Sequence, residues 1–575
     1  MMYPLDECKK EIISQIQKIL VSHKITCEIK IEIPPDTMGD FAFPCFQLAP
    51  LLKKSPNDIA KEISTEISKS IWITKVEAKG GYVNVFINNT QLISLTLRSI
   101  LEKKEIYGHL KKQKKKVIIE HTSANPNGPL HVGRARNPII GDTLVRIFKA
   151  AGYDVESQFY LDDMGKQVAI LAWGVNNLEQ KNIPSSTTIK ADHQMVGYYQ
   201  IANEQMKTEP RIAEQISDIV KKLEGGDHKT IEMIHASYAP VLEGIKQSLQ
   251  RINIHIDTFI PESTFIYDKS IERVIKGLKQ TPYCREQDAA FYIDMEPFGI
   301  HGRNTKFFFL RSDGTTLYAT RDIAYHQWKA QQADILINIL GEDHKLESKQ
   351  VKVALELLKV KILPQVVFYA FVSLPGGKMS TRRGRVVYLD ELIDECIEHA
   401  YEEVRKRRDN ELTESQMRKI AELIGIGSLR YNIIKVQPEK DIIFTWEEAL
   451  NFEGNAVPFV QYAHARACSI LSKISIKEDT FHAPLLTNHS EITLIKKLAW
   501  FPLMIEDACN NCKPHIIANY LFETASVFNQ FYRDCPVLCE ENELLRSSRL
   551  ALVHATKIVL YNGLELLGIS APTEM

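Results

Sequence analysis

The stretch from Lys116 to Leu161 constrains this chain more than any other. Val117-Ile118-Ile119 is a short apolar run, and the next segment is dense in turn residues around Asn125-Pro126-Asn127-Gly128-Pro129. Ile140, Leu144, Ile147, Phe148 and Ala151 then recur at helical spacing. Pro138 falls near the first turn of that helix, where its missing N–H is tolerated, and Gly152 stands at its C-terminal end. Val155 to Leu161 is a second strand. Strands joined through a helix lie parallel, so this β-α-β unit predicts a parallel sheet covered by helices.

At 575 residues the chain has room for three or four domains. The first hundred read as a small α+β unit, with a helix over Leu5 to Leu20, a second over Ser55 to Ser68 and a strand at Tyr82 to Ile87. The lysine run at 111 to 116 marks a boundary. Residues from about 175 to 280 are mostly polar amphipathic helix and read as an insertion. Strands resume at Phe307 to Arg311, Ile335 to Leu340 and Val366 to Leu374, and the chain reads as helical after about 390. No internal repeat or low-complexity segment is visible.

The longest apolar runs are far shorter than the roughly 20 residues of a membrane span, so no membrane association is expected. No apolar block follows the first Met, and ten cysteines are too few for a disulfide scaffold. A cytoplasmic protein is expected. Lys and Arg number 71 against 72 Asp and Glu, a net charge of −1. That balance weakly disfavours a polyanion partner. Local clusters qualify it: Lys111 to Lys116, Arg382 to Arg385, and Arg405 to Arg408. Such runs are usually solvated faces.

Two loops carry chemistry. The first runs from Glu120 through His131-Val132-Gly133-Arg134 and leads from a strand into a helix, where backbone N–H groups can hold a phosphate. The second, Gly376-Gly377-Lys378-Met379-Ser380-Thr381-Arg382-Arg383-Gly384, also follows a strand and could close over a pyrophosphate. Either alone could be an ordinary turn. As a pair they resemble the "HIGH" and "KMSK" signatures of class I aminoacyl-tRNA synthetases. The segments His121 to His131, Leu161-Asp-Asp-Met-Gly-Lys-Gln167, Tyr318-Ala-Thr-Arg-Asp322 and Gln461-Tyr-Ala-His-Ala-Arg466 resemble the arginyl-tRNA synthetases in particular. The resemblance runs from Gly39-Asp40-Phe41 to the C-terminal Gly568 to Met575.

The resemblance implies an α/β multidomain fold. It places an N-terminal α+β domain that contacts the tRNA elbow at 1–110. A Rossmann-type catalytic domain at 111–390 carries the insertion, a helical connector follows at 391–440, and an all-helical anticodon-binding domain occupies 441–575. It implies adenylate formation from L-arginine and ATP, with Mg²⁺ on the phosphates, and then transfer to the terminal 2′-hydroxyl of tRNA(Arg). Activation is expected to need bound tRNA.

His131, Arg134, Lys378 and Arg382 would act on the phosphates. Gly133, His344, Met379 and Ser380 would complete the ATP site. Glu120, Ser123, Asn125, Gln167, Tyr318 and Asp322 would hold arginine, the two carboxylates facing its guanidinium. Phe41, Phe459, Tyr462 and Arg466 would meet tRNA, the last three because aromatic rings and arginine stack on unpaired bases. The chain departs from the signatures at Arg134 and Thr381, where histidine and lysine are usual. A monomer is expected. Cys509-x-x-Cys512 and Cys535-x-x-x-Cys539 have loosely zinc-like spacing, but buried free cysteine is the commoner state and no zinc is expected. Two rivals are a synthetase for another amino acid or a small nucleotidyltransferase, which the acidic pair and the full C-terminal region oppose, and a non-catalytic tRNA-binding paralogue, which intact His131 and Lys378 oppose.

Overall fold

A computed structural model describes residues 3–35, 38–184, 188–302, 305–374, 377–378, 381–382, 385–474 and 481–575, with backbone alone for those between 374 and 386. Met379 and Ser380 and the side chains of Lys378 and Arg382 lie outside the described residues.

The centre is a five-stranded parallel sheet. Its strands are β1 (Lys116–Glu120), β2 (Asp154–Leu161), β3 (Thr258–Pro261), β4 (Ile335–Gly341) and β5 (Gln365–Tyr369), in the order β5-β4-β1-β2-β3. Helix α1 (Arg136–Ala150) crosses from β1 to β2 and buries its apolar face. Gly152, at φ +90°, turns the chain back into β2. β3 lies inside the stretch that reads as helical insertion. It is a four-residue edge strand too short to show periodicity among the long helices α2 (Ala191–Thr208) and α3 (His228–Arg251).

The apolar run Val366 to Leu374 is two strands, since Val372–Leu374 belongs to another sheet. The break is at Ala370, whose N–H bonds Pro438 O at 2.9 Å and whose carbonyl accepts from buried Arg136 at 2.6 Å. With both groups diverted, the parallel ladder ends there.

Among the described residues the first hundred contain a three-stranded antiparallel sheet, order Phe41–Pro44, Tyr82–Ile87, Ile73–Lys79, with the helices Pro4–Ser22, Pro56–Glu66 and Asn89–Lys103. Helix α4 (Tyr318–Lys329) precedes β4. Beyond β5 come helices α5 (Leu389–Arg408), α6 (Glu414–Ile434), α7 (Val457–Ser472) and, towards the C-terminus, α8 (Glu543–Leu566).

One side chain ties four of these parts together. Arg430 on α6 is fully buried. Its guanidinium donates to Leu567 O at 2.8 Å, Ile252 O at 2.7 Å and the Asp142 carboxylate on α1 at 2.6 Å. Gly568, at φ +67°, lets the chain pass: a Cβ there would stand 2.3 Å from the guanidinium.

Candidate active site

In an open parallel sheet, ligands bind beyond the carboxyl ends of the strands, where the strand order reverses. Here β1 is flanked by β4 and β2, and its C-terminal residue is Glu120. The chain then strains through Thr122 and Ser123, at φ +74° and +36°. Asn137 holds the turn, accepting from Thr122 N at 2.7 Å and donating to Ile339 O at 2.9 Å. The loop is thereby tied to both α1 and β4.

A cavity of about 490 Å³ opens at this end of the sheet. Ser123, Asn125, Tyr318 and Asp322, which the resemblance gives to arginine, line it together with His344, which it gives to ATP. Tyr160, Asp162, Glu262 and His326 line it too, and sequence reasoning missed them. Asp162 stands one residue beyond β2 and Glu262 one residue beyond β3. An acid directly after a strand of this sheet was the available signal, and for Glu262 the strand itself was hidden. Neighbouring Asp163 is a structural residue, accepting from Ser263 N and Oγ at 2.9 and 2.6 Å.

Glu120 lies behind the cavity. Its carboxylate accepts from the fully buried ammonium of Lys329 at 2.6 Å and from Ser123 Oγ at 3.1 Å. Lys329 also bonds Asn338 Oδ1 at 3.1 Å. That contact turns the Asn338 amide NH₂ towards His326 Nε2, 2.6 Å away, so this nitrogen accepts and Nδ1–H donates to the Asp322 carbonyl at 2.8 Å, with the Asp322 carboxylate 3.0 Å from the same nitrogen. The series Glu120, Lys329, Asn338, His326, Asp322 fixes the Asp322 carboxylate at the cavity wall. Burial alone would raise the Asp322 pKa; His326, Lys329 and His344 hold it below the usual carboxylate value.

Asp162 and Glu262 shift the other way. Burial is the main cause for both, opposed by Arg321 and reinforced by repulsion between the two acids, and both stand well above the usual range. Arg321 pairs with Glu262 and, at 3.0 Å, with Glu224. Asp162 Oδ1 and the Tyr160 hydroxyl are buried without a hydrogen-bond partner. Two orphaned polar atoms beside one cavity point to a ligand that completes them. Gln167 accepts from Asn127 at 2.7 Å and so supports the loop rather than lining the cavity.

His131 and Arg134 are exposed where the loop enters α1. Partial desolvation and the Arg134 charge hold the imidazole pKa of His131 below its ordinary value. The charge of Arg134 also reaches His344 and Tyr369, which groups the first signature with the turn after β4. His344 is held the other way by its 3.1 Å contact with Glu347. Lys378 sits in a two-residue strand paired with Val372–Leu374.

The C-terminal region holds a second cavity, of about 580 Å³, lined by Phe459, Tyr462 and Arg466 together with Arg407, Arg408 and Arg533. Arg466 stacks on Tyr462 at 4.7 Å and Tyr532 at 5.1 Å, and donates to Asn529 at 2.5 Å. Tyr462 is 44% exposed. Phe41 corrects an expectation. It is 1% exposed and packs 5.6 Å from Trp500, so it is a core residue between the N-terminal sheet and the C-terminal helices and offers no surface to RNA. Of the four zinc-spaced cysteines only Cys539 is exposed, and burial pushes Cys509 up to about 12 and Cys512 and Cys535 to about 11.

Residues 96–446 match the family model of the class I (R) tRNA synthetase catalytic domain, 460–575 the DALR anticodon binding domain, and 6–87 the arginyl tRNA synthetase N-terminal domain. The chain is 46% identical over 530 residues to the arginine–tRNA ligase of Methanocella arvoryzae, covering 92% of each. It is 40% identical over 572 residues to that of Methanothermobacter thermautotrophicus, covering 99% of each. The solved arginyl-tRNA synthetase of Thermus thermophilus superposes with a TM-score of 0.85 at 27% identity, over 98% of this chain and 100% of that one. The parallel sheet, the paired signature loops and the helical C-terminal region are those of a class I aminoacyl-tRNA synthetase. Within that class the chain belongs to the arginyl-tRNA synthetase family, the arginine–tRNA ligases.

Proposed function

We propose that the 490 Å³ cavity takes the side chain of L-arginine, with ATP across the His131 loop and tRNA(Arg) on the Tyr462 face. The orphaned Asp162 oxygen carries this reading. With Asp322 fixed beside it and Glu262 near, it leaves acceptors for a planar cation with five N–H donors. Burial makes Asp162 and Glu262 reluctant to ionise alone, and a bound guanidinium repays the desolvation. The Tyr318 ring, 51% exposed, can lie against the same cation.

The arginine carboxylate attacks the α-phosphorus of ATP and pyrophosphate leaves. No group of the protein is covalently modified, so catalysis is positioning plus charge stabilisation. His131 donates a hydrogen bond to the α-phosphate, and Arg134 supplies permanent charge where the family more often has histidine. Lys378 and Arg382 bear on the β- and γ-phosphates. Mg²⁺ arrives with ATP as part of the substrate; the loop donors nearby are nitrogens, which suit phosphate oxygens and not Mg²⁺. The arginyl group then passes to the 2′-hydroxyl of the terminal adenosine. Phe459, Tyr462 and Arg466 stack on anticodon bases.

No helix of the described residues is long and apolar enough to cross a membrane. We read the protein as a cytoplasmic monomer acting in translation. The deciding experiment is ATP–pyrophosphate exchange against each of the twenty amino acids, with and without tRNA. Exchange with arginine alone, and only when tRNA(Arg) is present, is expected. Exchange with another amino acid would overturn the pocket assignment.

A further inference from the structure

Among the described residues the one group of three or more His, Cys, Asp or Glu side chains close enough to share a cation is Asp192, His193 and Asp390. It is not a metal site. The Lys190 ammonium lies among its ligand atoms, 3.0 Å from Asp192 and 2.7 Å from Asp390, and also bonds Ser248. Asp390 accepts further from His193 Nε2 at 3.1 Å, Ser248 Oγ at 2.9 Å and Arg251 at 3.2 Å. Four side chains from the insertion thus grip one carboxylate at the start of α5. Burial pulls the Asp390 pKa up, but these donors outweigh it and hold the group far below the usual range. The grip needs close approach. Asp192 lies against Gly244 of α3, where a Cβ would fall 2.3 Å from its carboxyl carbon.

The position of this grip matters. The segment that carries Lys378 ends at Val387, where the backbone zips to the first signature loop. Val132 N–H donates to Val387 O at 3.1 Å, Leu389 N–H donates to Leu130 O at 2.7 Å, and His131 and Tyr388 form the bridge between them. The Tyr388 ring lies 5.6 Å from the His131 ring on one side and 5.1 Å, edge-on, from the His193 ring on the other. His193 therefore touches both Asp390 and Tyr388, and Tyr388 touches His131.

Resting on the role given above to His131, we infer that His193 and Asp390 are positioning residues for adenylate formation, through which the helical insertion sets Tyr388 and so holds the first signature loop in place over the ATP phosphates. The arginine cavity is walled by other elements, so its affinity does not depend on this grip.

The test is arginine-dependent ATP–pyrophosphate exchange of the full chain with tRNA(Arg) present, in His193→Ala, His193→Gln and His131→Ala. His193→Ala should lower kcat about tenfold to a hundredfold, the cost of a misplaced reacting group, while the KM for arginine stays within about twofold. His193→Gln, whose amide can still donate to Asp390, should recover most of the loss. Unchanged kcat in His193→Ala, an equal loss spread over the KM for arginine, or no recovery by glutamine would overturn the inference. If His193→Ala does not fold, Ser248→Ala removes one donor at little change of shape. A smaller fall in kcat alone supports the grip, and wild-type kcat refutes it. His131→Ala separates the two layers. If it too keeps full kcat, the phosphate assignment of its loop fails; if it loses activity and His193→Ala does not, only the present inference fails.

Discussion

The cavity beneath Tyr318 measures about 490 Å³ and the one beside Tyr462 about 580 Å³, yet they are built from opposite materials. The first gathers Asp162, Glu262 and Asp322; buried partners on β1, β4 and α4 fix Asp322, Arg321 on α4 holds Glu262, and Asp162 keeps an unpartnered oxygen. The second gathers Arg407, Arg408, Arg466 and Arg533, one of them laid across two tyrosine rings. A small cation needs acids already fixed, because each stray orientation wastes a charge-assisted bond. An RNA base needs a flat face with positive charge nearby and tolerates some play. The same size of hole is thus made selective in one case by rigidity and in the other by surface chemistry.

The sharpest way to break this contrast is Asp322→Asn, which keeps shape and removes charge. Losing a charge-assisted partner worth about 1.5–3 kcal/mol should raise the KM for arginine about tenfold to a hundredfold and leave the KM for tRNA within about twofold. An unchanged arginine KM would remove Asp322 from the pocket. Next is Tyr462→Ala. Loss of one base stack, about 1–2 kcal/mol, should raise the KM for tRNA about tenfold. Because the resemblance implies that activation waits for tRNA, exchange at saturating tRNA should also stay below wild type; full recovery at saturation would confine Tyr462 to binding.

Arg466→Lys tests whether planarity or charge matters in the second cavity. Lysine keeps the charge but not the stack between Tyr462 and Tyr532, so the tRNA KM should rise about two- to fivefold. The smallest effect expected is with pH. Asp162 and Glu262 hold protons more tightly than ordinary carboxyls, and the guanidinium binds their charged forms. Arginine binding therefore releases protons, and its KM should climb about severalfold as pH falls from neutral towards acid. The second cavity has no such acid pair, and a parallel climb in the KM for tRNA would count against the distinction.

Much of the first cavity was legible because its residues sit in local patterns. Tyr318 and Asp322 are one helical turn apart on α4, and Asn125 lies in a turn whose residue types announce it. Asp162 and Glu262 carry no such pattern. They meet only because a long crossover brings β2 parallel to a four-residue β3, and single acids after strands are common. In sequence Glu120 looks like a residue that faces substrate, because nothing local reveals that Lys329, a long way along the chain, reaches it first. Phe41 was misplaced for a related reason. An aromatic just after a Gly-Asp turn looks the same in sequence whether it meets RNA or, as here, Trp500. Val366 to Leu374 looked continuous because hydropathy does not record where a carbonyl is diverted to Arg136.

The buried guanidinium of Arg430 has a consequence in time. Leu567, whose carbonyl it needs, leaves the ribosome 137 residues after it, roughly 7 to 30 seconds later at ordinary elongation speeds. During that interval Asp142 and Ile252 are already made but the guanidinium lacks its third acceptor, so the seal over α1 stays incomplete. Since α1 carries the His131 loop into the sheet, the buried network that backs this loop is complete only once the end of α8 has been made.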